Sequence, residues 1–68
     1  MFKEVTADHT FIQNDDKTIE VYKSTGNLTG LQPIYISDVK VETQKQFEVE
    51  VAYMLVYDLH NDNQVNDY

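Results

Sequence analysis

Through much of this chain apolar side chains alternate with polar ones, and short clusters of Asn, Asp, Gly and Ser separate the alternating runs. That rhythm predicts strands, because successive side chains on an extended backbone point to opposite faces. A short first strand is expected around Phe2 and Val5. His9 to Gln13 and Thr18 to Lys23 flank Asn14-Asp15-Asp16-Lys17 and read as a hairpin, since Asn and Asp side chains bond nearby backbone groups in turns. With Asp15-Asp16 at the tip, Ile12 would face Ile19 and Thr10 would face Val21, which places β-branched side chains on one face. Ser24 to Gly30 is a loop. Leu31 to Ser37 reads as a further strand, with Pro33 at its start or on an edge. Ile34 and Ile36 share one parity and Val39 and Val41 the other, so a bulge or bend is expected at Ser37-Asp38.

The decisive stretch is Lys45 to Leu59, KQFEVEVAYMLVYDL. At period two, Phe47, Val49, Val51, Tyr53, Leu55, Tyr57 and Leu59 fall on one face without a break, and Glu48, Glu50, Ala52, Met54, Val56 and Asp58 on the other. At helical spacing, Phe47, Val51, Met54, Leu55 and Leu59 also form a stripe, and Thr43 to Gln46 resembles a capping box. Three considerations favour the strand, the first being that the period-two match is unbroken whereas the helical match needs exceptions. The helix would leave Val49, Tyr53, Val56 and Tyr57 around the rest of its surface, and β-branched and aromatic residues fit pleated sheets better than helices. The strand can pair with residues 39–43, setting Val41 opposite Val49, Val39 opposite Val51 and Lys40 opposite Glu50.

The expected fold is therefore all-β: a small five-stranded barrel or curled antiparallel sheet over residues 1–59, with residues 60–68 as a flexible acidic tail. Size and strand count resemble SH3-like and OB-type barrels, a likeness of architecture alone. The alternative is α+β, with a helix over 44–59 packed across the first strands.

Composition narrows the function. A domain of 68 residues buries only about 60% of its unfolded surface and needs support from disulfides, a metal or a partner. There is no cysteine, which removes disulfides and thiolate metal sites and fits a reducing compartment. Twelve acidic residues against five lysines give a net charge of −7, which repels phosphate backbones. Direct binding to nucleic acid or anionic membrane is thus disfavoured, while a basic protein partner is allowed; acidity also keeps a small protein soluble. The opening MFKEVTADHT lacks the apolar core of a signal peptide, and no run is long and apolar enough to span a bilayer. A cytoplasmic protein is expected.

Catalytic chemistry finds little purchase. Ser24 and Ser37 have no neighbouring histidine, and Gly26 and Gly30 match no phosphate-binding pattern. Asp58-Leu59-His60-Asn61-Asp62 spaces an imidazole between two carboxylates, but on an extended backbone neighbouring groups would stand roughly 6.5–7 Å apart, too far for one ion. No enzyme, metal or cofactor is expected. The remaining candidates form a protein-binding surface: Glu42, Glu48 and Glu50 with Ala52, Met54, Val56, Tyr53 and Tyr57. One version is a phage-type inhibitor whose regularly spaced glutamates stand in for phosphates on a basic nucleic-acid-handling partner. The other is a structural subunit of a homo-oligomer or virion, held by the apolar face of Ala52, Met54 and Val56.

Overall fold

The computed structural model describes residues 1–59. Four strands, β1 (Lys3–Val5), β2 (Thr10–Gln13), β3 (Ile19–Tyr22) and β4 (Tyr35–Ser37), form an antiparallel sheet in chain order. A helix, α1 (Gln44–Tyr53), continues into a π-helical turn, Met54–Asp58, and covers one face of that sheet. The sheet does not close into a barrel: β1 and β4 are both outer strands. The expected tail over 60–68, including His60 and Asp62 of the D-x-H-x-D pattern, lies outside the described residues.

The first hairpin forms, with a register one residue from expectation. Phe11 faces Val21 and Gln13 faces Ile19, so Thr10 meets Tyr22 and Ile12 meets Glu20. The cause is the turn. Asn14 pairs with Thr18, donating to its carbonyl at 2.7 Å, and the loop is Asp15-Asp16-Lys17 rather than Asp15-Asp16. Lys17 closes it with a φ of +76° and an N–H bond to the Asn14 carbonyl. This is a three-residue hairpin loop, a type I turn followed by one left-handed residue. The slip exchanges faces along β2 and puts Phe11 and Gln13, rather than Ile12, in the core.

Residues 44–58 are helical, which corrects the expected long strand. Thr43 caps the helix: its hydroxyl accepts from the Gln46 N–H, while Gln46 Oε1 accepts from the N–H groups of Thr43 and Glu42 at 3.1 and 2.7 Å. No strand forms at 39–43. Instead Val41 N–H donates to the Lys17 carbonyl, and the Val41 carbonyl accepts from the buried Gln13 amide at 2.8 Å. The break at Ser37-Asp38 is present. β4 ends at Ser37, whose hydroxyl accepts from the Val39 N–H.

The core joins Phe11, Ile19 and Val21 of the sheet to Phe47, Val51, Met54 and Leu59, with Val41 between them and Phe2 and Leu55 at its margin. Phe47, Val51 and Met54 follow the four- and three-residue steps of an α-helix, whereas Leu59 lies five beyond Met54. The π-helical turn takes up that extra residue, and the Leu59 N–H bonds the Met54 carbonyl. One helix thus covers the sheet with four large side chains, which a strand divided between two faces cannot do.

Candidate functional site: the outer face of the helix

A helix step of about 100° per residue puts Val49, Tyr53, Val56 and Tyr57 on the side roughly opposite Phe47, Val51 and Met54. All four are exposed, with 58, 53, 58 and 56% of their surface open to solvent. A helix covering a small core ordinarily turns a polar face outward, and this one turns four large apolar side chains outward between its polar flanks. The rings of Tyr53 and Tyr57 meet at 4.6 Å between centroids, tilted by 38°, and form one aromatic ledge. At the other end, Val49 shares a groove of about 270 Å³ with Val39, Lys40 and Lys45.

Carboxylates flank this stripe, and several are already engaged. Glu50 accepts from the Ser37 hydroxyl at 3.4 Å, which ties the helix to β4. Asp58 lies beside Tyr35. Burial, and then the charge of Asp58 and its hydrogen bond from the phenol, push the Tyr35 pKa up. Glu48, on the other flank, accepts from the Gln44 side chain at 3.1 Å. Glu42 precedes the helix, exposed, with its N–H held in the cap.

The residues expected to form one binding face are distributed round the helix. Met54 is fully buried in the core, Ala52 is exposed on the Glu48 flank, and Val56 lies on the outer stripe. The apolar patch of Ala52, Met54 and Val56 therefore does not exist as one surface. Glu48 and Glu50 stand about 200° apart round the axis, so the evenly spaced pair that a strand would present does not form. Tyr53, Tyr57 and Val56 do share a face. Val49 is absent from the binding face expected from sequence, although the 49, 53, 56, 57 spacing marks a second helical stripe opposite the first.

No family model, curated protein or solved structure matches the chain. Among the described residues, no group of three or more His, Asp and Glu side chains is placed to hold a metal ion. Also among them, no helix is long and apolar enough to cross a membrane. What the outer face offers is contact area: two stacked phenols, two valines and carboxylates on either flank. Tyrosine suits such a surface because it brings large apolar area with a polar tip and little side-chain freedom to lose.

Proposed function

We propose that this is a cytoplasmic, non-enzymatic interaction protein that docks a basic protein partner on the outer face of its helix. The observation that carries this reading is the exposure of Val49, Tyr53, Val56 and Tyr57 on a helix whose opposite side is the core. Contiguous exposed apolar surface of this kind marks sites of association. The net charge of −7, with Glu48, Glu50 and Asp58 on the flanks, favours a partner with Lys or Arg around an apolar centre. A nucleic-acid-handling protein with a basic groove fits that description, and occupying the groove would inhibit it. The inhibition rests on overall charge and an aromatic anchor rather than on a repeating phosphate-like array. Self-association through the same stripe would bring two acidic surfaces together and is the weaker alternative.

The test is capture by the immobilised chain, with elution by a salt gradient and a measurement of native mass. Retained proteins should be basic, should elute as salt screens the flanking charges, and should be lost when Tyr53→Ala is combined with Tyr57→Ala. Both positions are exposed, so the double variant should keep the parent's circular dichroism. If the double variant retains every protein that the parent retains, at undiminished strength, the reading is refuted. So would a native dimer that the variant converts to monomer, because the stripe would then belong to the homo-oligomer.

A further inference from the structure

We propose that the outer edge of β1, together with the groove beside it, takes an extended Lys- or Arg-bearing segment of a partner protein as a fifth strand. β1 pairs with β2 and lies at the margin of the sheet. The Thr6 N–H donates to the His9 carbonyl and the Gln13 N–H to the Phe2 carbonyl, both at 2.9 Å. Alternation along an antiparallel ladder makes Glu4 and Phe11 the bonded pair between them, and turns the N–H and C=O groups of Lys3 and Val5 away from β2. Those groups form a template for strand addition, the mode in which a peptide's main chain supplies affinity and pockets for alternate side chains supply selectivity. Val5 is half exposed beside them.

The pocket is present. A groove of about 290 Å³ opens between β1 and the helix, lined by Glu4, Thr6, Glu48, Val51, Ala52 and Leu55. Glu4 shares the helix-facing side of the sheet with Phe11, so one carboxylate comes from the strand and the other, Glu48, from the helix. Between them Val51, Ala52 and Leu55 are apolar. A long basic side chain matches this arrangement, with its methylene stem along the apolar residues and its charged end between the carboxylates. An added strand sends every second side chain to the helix face, so one such residue enters the groove while its backbone engages Lys3 and Val5. The net charge of −7 attracts a basic segment and repels a second copy of this chain. This surface lies on a different flank of the helix from Tyr53 and Tyr57, and the inference goes beyond the function proposed above.

The probe is a short synthetic peptide alternating Lys with Val and Thr, compared with two controls. One has Glu for each Lys; the other is N-methylated at the backbone positions that would face β1. In titrations of the full chain, the Lys peptide should bind saturably and slow amide exchange at Lys3 and Val5 by about tenfold or more. Glu4→Gln with Glu48→Gln should weaken binding by about tenfold or more, whereas Tyr53→Ala with Tyr57→Ala should leave it unchanged. Val5→Pro removes an outward N–H without touching the ladder to β2; it should abolish binding while the thermal transition persists. The proposal is overturned if the N-methylated or Glu peptide binds as tightly as the Lys peptide. It is equally overturned if the Glu4 and Glu48 double variant binds normally, or if Lys3 and Val5 exchange at unchanged rates.

Discussion

Lys17 occupies a backbone conformation that costs a residue with a side chain roughly 1–2 kcal/mol, at a φ of +76°. Its neighbours hold it there: its N–H bonds the Asn14 carbonyl and its own carbonyl receives the Val41 N–H. Lys17→Gly keeps both bonds and removes the strain, so urea denaturation should show a gain of about 0.5–1 kcal/mol after glycine's greater unfolded-state freedom is subtracted. One position earlier, the Asp16 carboxylate accepts from the Thr18 hydroxyl and N–H. The hydroxyl chiefly, and the N–H with it, hold the Asp16 pKa below the ordinary aspartate value. A carboxyl depressed in the folded state stabilises fully above its unfolded pKa, and that contribution is lost as pH falls through the lower folded value. An NMR titration should therefore place Asp16 below the usual aspartate midpoint, and Thr18→Val should raise it. The hairpin itself was legible from its Asn and Asp residues. Its register was not, because a lysine in the left-handed position leaves no signature where glycine or asparagine would.

At the scale of elements, the helix rests on its first turn and its last. Thr43→Ala removes one half of the capping box and should cost about 1 kcal/mol in chemical denaturation. The π-helical turn can be tested by shortening it. Deleting Val56 reduces the step from Met54 to Leu59 from five residues to four, which an ordinary α-helix accommodates. The shortened chain should keep its cooperative transition and its helical circular dichroism, while losing Val56 from the outer stripe. Both helical ends bear on what the sequence could reveal. The Thr43–Gln46 cap and the stripe from Phe47 to Leu59 were readable, but the uninterrupted period-two pattern of Val and Tyr read equally well as a strand. In the sequence alone, the apolar outer face weighs against a helix. In the folded protein that face is real and exposed. Burial partners decide such a case, and the chain's own periodicity does not say which of two apolar faces the rest of the chain covers. The Glu4–Glu48 groove was illegible for a related reason, since it joins residues 44 positions apart across two elements.

For the whole molecule, stability concentrates in one layer of contacts between sheet and helix. A domain of 68 residues has a margin of only about 3–10 kcal/mol. Met54 is fully buried among that layer, and Met54→Ala should cost about 2–5 kcal/mol, enough to lower the thermal midpoint markedly in a calorimetric scan. Polar groups are not left over: inside the layer Gln13 donates to the Val41 carbonyl and accepts from the Phe2 N–H, and on the other face of the sheet Thr10 donates to the Ser24 carbonyl. The sheet is a chain-order meander of local pairings, whereas the helix that covers it comes after all four strands. During synthesis, Phe11, Ile19 and Val21 therefore emerge before the helix that covers them in the folded protein. Seven of the twelve acidic residues, among them Asp15, Asp16 and Glu20, precede that helix against four of the five lysines, so the segment that emerges first carries a negative excess that disfavours association while its apolar residues are uncovered.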